Sequence, residues 1–223
     1  MGKEEDIRHD LYEQTLAGDC KETGRLTEEA LAAGIKASDI LFETLIPAME
    51  EVGRRFEAGD YFVPEMLMSA KAMQEALRRL RPLLADTGVR AAGTVMMMTV
   101  KGDVHDIGKN LCNLMLEGAG FEVIDLGVDV APAKMVAAVA QRRPAIIGFS
   151  ALLTTTMQMF PVNIEALVKA GLRDKVKVIV GGAPVTQKYA DAVGADGYAP
   201  DASAAVRLVR RLIGEAVTLP RAG

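Results

Sequence analysis

A change of pattern partway along the chain limits most strongly what this sequence can fold into. From about Glu4 to Leu84 the apolar residues recur at helical spacing, with few helix breakers and no run of β-branched residues. Beyond a stretch from Pro82 through Ala92, which we interpret as a linker, short apolar runs alternate with helical segments. We therefore predict a helical domain over residues 1–88 and an α/β domain over residues 89–223.

The first region fits four helices joined by short loops, which is the pattern of an antiparallel four-helix bundle. We expect these helices at about Ile7–Ala17, Lys21–Ala33, Ser38–Phe56 and Pro64–Leu80. Gly18, Gly34 and Gly59 stand where helices are expected to stop, and Ser38 is the predicted N-cap of the third helix. Pro64 suits a first helical turn, because an N–H group there has no partner inside the helix.

The second region contains five predicted strands and five predicted helices that alternate along the chain. The strands are expected at Gly93–Thr99, Glu122–Leu126, Ala145–Ser150, Val176–Val180 and Gly197–Tyr198. The helices are expected at Ile107–Glu117, Pro132–Ala140, Thr156–Gly171, Pro184–Val193 and Asp201–Ile213. This alternation predicts an α/β fold with a doubly wound, five-stranded parallel sheet, Rossmann-like or flavodoxin-like, covered by helices on both faces. Met96, Met97 and Met98 fall in the first strand, where core packing is the simplest interpretation.

Charge and composition exclude several classes of partner. The formal net charge is −4 and basic residues are interspersed with acidic ones, so no basic face predicts binding of nucleic acid. No apolar run is long enough to cross a bilayer and nothing resembles a signal peptide, so we expect a cytoplasmic protein without a membrane partner. Cys20 and Cys112 form no C-x-x-C pair, which predicts neither a disulfide framework nor a thiolate zinc site. His9 and His105 are the only histidines.

Three short motifs follow predicted strands at the edge of the sheet where such folds bind ligands. The stretch Lys101–Gly108 follows the first strand, Ser150–Leu152 ends the third, and Gly181–Gly182 follows the fourth. The carboxyl ends of parallel strands meet at one edge of the sheet. The three motifs are therefore expected to line one crevice.

His105 is the centre of the predicted site. A histidine on a loop beyond a strand can direct a ring nitrogen toward a metal held outside the sheet. Asp103, two residues earlier, can accept a hydrogen bond from the other ring nitrogen, and Ser150 can donate in turn to Asp103. Taken alone, a histidine beside an aspartate is more often a structural pair, and the other two motifs are what favour a ligand-binding role.

In these motifs the sequence resembles the cobalamin-binding family, whose fingerprint is D-x-H-x-x-G, then S-x-L, then G-G. The matching residues are Asp103, His105 and Gly108, then Ser150 and Leu152, then Gly181 and Gly182. The resemblance implies a cobalt corrinoid, cobalamin or a relative in the methylcobalamin or cob(I)alamin state, with His105 as the lower axial ligand of cobalt. It also implies that Ser150, Asp103 and His105 form a relay that takes up or releases a proton as cobalt changes oxidation state.

The resemblance implies further corrinoid contacts, on a wall of small side chains and on the helical cap. The expected contact residues are Gly102, Asp103, Val104, His105, Asp106, Ile107, Gly108, Ser150, Leu152, Thr154, Gly181, Gly182, Tyr198, Met66 and Met73. For Met66 and Met73, packing inside the bundle is an equal alternative, and Gly181–Gly182 also suits a tight turn. Lys101 and Lys109 are expected on the solvated surface, with contact to propionamide or phosphate groups of the cofactor as the alternative.

The order of cap and corrinoid domain resembles the stand-alone corrinoid proteins of methanol, methylamine, betaine and aryl-ether methyltransferase systems, and the cap and cobalamin-binding domains of methionine synthase. This implies a methyl carrier between a substrate-specific methyltransferase and a second methyltransferase that serves tetrahydrofolate or a thiol such as coenzyme M. A reductive activase is a further expected partner. One alternative is an adenosylcobalamin sensor, which the lack of a basic helix-turn-helix segment disfavours. Another is the small subunit of a B12-dependent mutase, which the N-terminal cap disfavours.

Overall fold

The computed structural model describes residues 3–86 and 92–214. Within these ranges the chain forms two compact units, one of residues 3–86 with 114–120 and the other of residues 92–113 with 121–214. The first unit is helical, and the second contains a five-stranded parallel sheet with helices. The predicted fold class is therefore confirmed.

The described part of the N-terminal region consists of four helical stretches, as predicted. They are α1 (Lys3–Ala17), α2 (Cys20–Ala32), a continuous stretch of α3 (Ala37–Ile40), a π-helical turn (Leu41–Leu45) and α4 (Ile46–Ala58), and α5 (Val63–Asp86). Asp19 caps α2 by accepting hydrogen bonds from the backbone N–H groups of Lys21 and Glu22, both at 3.0 Å. Gly59 ends α4 with φ 81°, a left-handed conformation that glycine adopts without strain.

Two boundaries in this region differ from the prediction. The third stretch starts at Ala37, because Lys36 already has the extended backbone of a cap residue. Ser38 therefore lies inside the helix, where its hydroxyl donates to Asp39 at 2.9 Å. Helix α5 continues through Pro82 to Asp86, since the buried Leu80 and Leu84 extend its apolar stripe and offset the one N–H donor that proline lacks. The predicted linker is thus helical up to residue 86, and residues 87–91 lie outside the described residues.

The strands and helices beyond residue 92 follow the predicted order. The strands are β1 (Thr94–Thr99), β2 (Glu122–Asp125), β3 (Ile146–Ser150), β4 (Lys177–Gly181) and β5 (Gly197–Tyr198). The helices are α6 (Ile107–Gly118), α7 (Pro132–Arg142), α8 (Met159–Lys169), α9 (Gln187–Val193) and α10 (Ala202–Ile213). All neighbouring strands are parallel, in the order β2-β1-β3-β4-β5.

This strand order reverses the direction of winding between β1 and β3. The chain leaves β1 for the edge strand β2 on one side, and leaves β3 for β4 on the other. The carboxyl ends of three strands lie side by side, with Thr99 opposite Ser150 and Ser150 opposite Gly181. The loops that carry the three motifs therefore leave the sheet together, at the point where open α/β sheets bind ligands.

The three consecutive methionines of β1 are buried, which confirms their predicted place in the core. Met96 and Met98 join a cluster with Phe149 and other apolar residues on one face of the sheet. Met97 points to the other face beside Gly148, where an added Cβ atom would collide with the Met97 thioether. A flexible side chain thus fills the space that the glycine leaves.

Helices α8 and α9 each begin later than predicted, at Met159 and Gln187. Thr156, the predicted start of α8, lies instead in a turn, where its backbone N–H donates to the Leu153 carbonyl at 3.0 Å. Thr186 caps α9, since its hydroxyl accepts from the Tyr189 N–H at 3.2 Å. Among the described residues, no helix combines the length and the apolar character needed to cross a membrane.

Candidate functional site

His105 lies on the loop between β1 and α6, and hydrogen bonds hold both its ring and its backbone. Its ring Nδ1 lies 2.7 Å from Asp103 Oδ1, and its backbone N–H donates to the same oxygen at 3.0 Å. Its carbonyl oxygen accepts from the Thr99 hydroxyl at 3.0 Å. The His105 side chain is 47% exposed, whereas that of Asp103 is 0% exposed. The ring is therefore held through Nδ1, while Nε2 has no hydrogen-bond partner in the ranges that the structure describes.

Asp103 is the buried anchor of this loop. Its Oδ2 accepts hydrogen bonds from Thr156 Oγ1 at 2.7 Å, from the Leu152 N–H at 2.8 Å and from the Leu153 N–H at 3.4 Å. Burial raises the pKa of this carboxyl group, but hydrogen bonds from Thr156, the His105 and Leu152 backbone and the His105 ring lower it further, to well below its usual value. Asp103 is therefore a carboxylate at neutral pH. Because a carboxylate only accepts, Nδ1 of a neutral ring carries the proton and Nε2 keeps its lone pair.

The hydroxyl that donates to Asp103 belongs to Thr156, and the predicted donation from Ser150 is not seen in the described part of the chain. Ser150 is the last residue of β3, level with Thr99 and Gly181 across the sheet. Thr156 lies on the turn after that strand, which reaches the loop that follows β1. The run Thr154-Thr155-Thr156 is the signal that could have pointed to this hydroxyl, although only the turn determines which of the three reaches Asp103.

Thr156→Val is expected to lower the free energy of unfolding by about 2 kcal/mol, because valine keeps the shape but removes the side-chain donor of a buried carboxylate. Urea unfolding at neutral pH measures this difference. Thr156→Ser keeps the hydroxyl and should recover most of the loss. A valine variant as stable as the wild type would show that the contact does not stabilise the loop.

Large exposed apolar side chains lie on the two loops that meet at Asp103. Val104 and Ile107 on the first loop are 68% and 78% exposed, and Leu152 and Leu153 on the second are 42% and 44% exposed. The hydrogen bonds from Leu152 and Leu153 to Asp103 bring the two loops together. We call these four side chains the apolar rim. An exposed apolar cluster beside an imidazole is the surface expected where an apolar ligand binds.

The glycines of the motifs differ in what surrounds them. Gly182 has φ 131°, and an added Cβ atom would collide with the Ala151 carbonyl oxygen. A Cβ atom on Gly181 would lie 3.2 Å from the Ala199 carbonyl oxygen, so at both positions the backbone of a neighbouring segment leaves little or no room for a side chain. Gly108, in the first turn of α6, has open space where a side chain would stand. Contact of these glycines with a corrinoid remains a prediction.

Two lysines near the site behave differently from each other. Lys101 is exposed and pairs with Asp129 at 2.9 Å, in keeping with the predicted surface position. The prediction for Lys109 is wrong, because its side chain is only 1% exposed and its Nζ bonds to Asp125 at 2.5 Å and to Asn110 at 2.7 Å. An acidic side chain at the end of β2 makes this burial possible, and the spacing of α6 alone does not reveal that partner.

Three other predicted contact residues lie near the strand ends. Asp106 precedes α6 and accepts a hydrogen bond from the Asn110 amide at 3.0 Å. Thr154 is exposed on the loop after β3. Tyr198 is level with Val180 and packs against the same core cluster as Phe149, on the face of the sheet away from Gly181. Contact of Tyr198 with a corrinoid remains a prediction.

The two predicted cap contacts, Met66 and Met73, are both fully buried. The alternative of core packing is therefore the one that the structure shows for these side chains. The exposed apolar side chains at the start of α5 are Phe62, Val63 and Met68. In α5 the helical spacing buries Met66 and leaves Met68 exposed. The exposed apolar side chains of this helix are therefore not the two that were predicted.

Comparison with known proteins identifies the family. Two models, each described as a B12 binding domain, match residues 7–81 and 93–207. The trimethylamine corrinoid protein 1 of Methanosarcina acetivorans is 42% identical over 190 residues, covering 84% of this chain and 88% of the relative. The dimethylamine corrinoid protein of Methanosarcina barkeri is 41% identical over 215 residues, covering 96% of this chain and 100% of the relative.

A solved structure agrees with these relatives. The methanol:cobalamin methyltransferase complex MtaBC of Methanosarcina barkeri contains a chain that is 29% identical, with a TM-score of 0.82 and coverage of 94% of this chain and 80% of that chain. This chain therefore belongs to the family of B12-binding corrinoid proteins, which confirms the resemblance found in its motifs.

The residues of the site fit a corrinoid. His105 offers one imidazole nitrogen, which suits a metal whose equatorial positions are filled by a macrocycle. The apolar rim suits the face of such a ring, and the Asp103 carboxylate is the hydrogen-bond partner that a metal-ligating histidine usually has.

Proposed function

We propose that this chain is a methyl-carrying corrinoid protein in which Nε2 of His105 ligates cobalt. The observation that carries the proposal is the His105 ring held at Nδ1 by a buried carboxylate, with Nε2 unpartnered beside the apolar rim. Relatives of nearly equal length are a trimethylamine and a dimethylamine corrinoid protein, and these support the methyl-carrying role. When bound, the corrinoid supplies a cobalt centre that accepts a methyl group and then gives it up.

The residues behind the ring have two tasks in this proposal. Asp103 keeps the proton on Nδ1, so that Nε2 is available to the metal. Thr156 and the Leu152 N–H keep Asp103 in place and ionised. When the ring is not bound to the metal, Nε2 can hold a proton, and the Asp103 carboxylate stabilises the resulting charge. The relay therefore runs through Thr156, Asp103 and His105.

We also propose that residues 1–88 act as a cap domain that shields the reactive face of the cofactor. A methyl carrier needs to keep water and oxygen from a reduced metal, and apolar side chains do this. Phe62, Val63 and Met68 are exposed at the start of α5 and are the side chains we assign to this task.

The partners follow from the carrier role. We propose a substrate-specific methyltransferase as methyl donor, and a second methyltransferase that passes the methyl group to tetrahydrofolate or to a thiol such as coenzyme M. The methanol methyltransferase complex supports the first of these. A reductive activase that restores the reduced cofactor, and a cytoplasmic location, complete the proposal.

The carrier role is tested with reconstituted, reduced holoprotein and the methyltransferase encoded nearest to its gene. Trideuterated methanol, methylamines, betaine and an aryl methyl ether serve as methyl donors, and mass spectrometry measures the label on the protein-bound corrinoid. We expect label from one donor, and loss of that label when the second methyltransferase and its acceptor are added. Failure of every donor to label the corrinoid would contradict the carrier role, and sequence-specific DNA binding would favour a sensor instead.

A further inference from the structure

Asp129, on the loop between β2 and α7, contacts three consecutive residues of the loop that carries His105. Its Oδ1 accepts from the Gly102 N–H at 2.8 Å, and its Oδ2 accepts from Lys101 Nζ at 2.9 Å. Its own backbone N–H donates to the Asp103 carbonyl oxygen at 2.9 Å. These bonds place one aspartate against residues 101–103, just before the histidine.

The backbone of Asp129 is unusual for a residue with a side chain. Its φ angle is 52°. In the described ranges only one other non-glycine residue, Arg143 with φ 48°, has a positive φ. Glycine would adopt this conformation at lower cost, although aspartate tolerates it better than most residues. What an aspartate offers here that a glycine does not is therefore its side chain. Hydrogen bonds from Gly102 and Lys101 hold the pKa of the Asp129 carboxyl group below its usual value, so it is ionised and accepts from both.

The loop that carries His105 is held from both neighbouring strands. On the β3 side, Leu152 and Thr156 donate to the Asp103 side chain. On the β2 side, Asp129 binds Gly102 and the Asp103 backbone. Gly102 has φ 83° and bends the chain directly before Asp103, at the point where Asp129 binds. A loop held on one side only is free to pivot at that bend.

We propose that Asp129 is a positioning residue for His105, which fixes the bend at Gly102 and thereby sets the direction of the imidazole toward the cofactor. The inference rests on the proposed function, in which His105 ligates cobalt. Asp129 acts through the loop, since its two side-chain bonds go to Lys101 and Gly102. The same carboxylate orients the ring without touching it.

Two substitutions of Asp129 and one control substitution distinguish the effect of the Asp129 side chain from that of its backbone conformation. Asp129→Gly keeps the left-handed backbone and the N–H donor but removes both side-chain bonds. Asp129→Asn keeps an oxygen acceptor for Gly102 and loses the charged acceptor of Lys101. Arg143→Gly is the matched control, because it relieves a similar backbone strain at the C-terminal end of α7, and within the described ranges Arg143 makes no hydrogen bond to the loop of His105.

The readout is the ratio of imidazole-bound to imidazole-free cobalt in holoprotein reconstituted with cobalamin, measured from the visible spectrum. His105→Ala defines the imidazole-free end of the scale. We expect Asp129→Gly to lower the ratio by about fivefold, as the loss of such hydrogen bonds predicts. Asp129→Asn should stay within about twofold of wild type, because the Gly102 bond is the stronger constraint. Arg143→Gly should leave the ratio unchanged.

The outcomes separate this inference from the function on which it rests. If the wild type and His105→Ala give the same spectrum, the proposed function fails. If they differ and Asp129→Gly matches the wild type, the positioning role fails and the proposed function stands. A variant that only lowers the unfolding temperature, with a wild-type ratio, also overturns the positioning role.

Discussion

His105→Ala holoprotein is expected to lose the spectral signature of an imidazole bound to cobalt while keeping most of its cofactor. The ring is the one side chain that we assign to the metal, whereas the apolar rim and the strand-end glycines supply most of the predicted contact area. We expect affinity for cobalamin to fall by about tenfold, in the range found when a metal-site partner is removed. Visible spectroscopy and equilibrium dialysis of wild-type and variant protein measure the two quantities separately.

His9 provides the control for this experiment. It is the other histidine of the chain and is exposed on α1. His9→Ala should therefore have the spectrum and affinity of the wild type. A His105→Ala spectrum identical to that of the wild type would remove His105 from the cobalt.

Asp103→Ala is expected to destabilise the sheet domain by about 3 kcal/mol at neutral pH. The substitution removes a buried carboxylate and leaves the Leu152 N–H and the Thr156 hydroxyl without their acceptor, which is the costly way to break a hydrogen-bond network. Asp103→Asn keeps the size and one oxygen, so we expect a smaller loss. Urea unfolding followed by circular dichroism gives the free energy of unfolding of each protein.

The effect of Asp103 on stability should depend on pH in a defined direction. The pKa of the folded-state carboxyl group is depressed, so its contribution is fully present above the unfolded-state pKa of about 3.9 and is lost as pH falls below it. The stability difference between wild type and Asp103→Asn should therefore be largest near neutral pH and shrink under acid conditions. A difference that stays constant from pH 7 to pH 3 would contradict the assignment of an ionised, hydrogen-bonded Asp103.

Much of the fold could be predicted because its signals are local. The five strands are short apolar runs bounded by glycine or polar residues, and their periodicity does not depend on distant contacts. The position of His105 beyond β1, and those of Ser150 and Gly181 at the ends of β3 and β4, follow from the same boundaries. Once the sheet is known to be parallel, the meeting of these motifs at one edge follows from topology.

The features that the sequence did not reveal depend on contacts between distant residues. Thr156 replaces Ser150 as the donor to Asp103, because the turn after β3 brings a residue from outside the strand to the loop that follows β1. Lys109 is buried because Asp125, from another strand, is available to pair with it. Neither contact has a local signature. Asp129 belongs to the same group, since its role appears only when the β2 loop lies against residues 101–103.

The most direct test of the account is electron paramagnetic resonance of the holoprotein in its paramagnetic Co(II) state, with all histidine nitrogens replaced by ¹⁵N. Because the chain has only two histidines, only His105 and His9 carry the label. In the His9→Ala variant, His105 alone carries it. If His105 ligates cobalt, the nitrogen splitting changes from the three lines of ¹⁴N to the two lines of ¹⁵N. A three-line pattern that persists in the labelled protein, or no nitrogen splitting in either sample, would contradict ligation by His105.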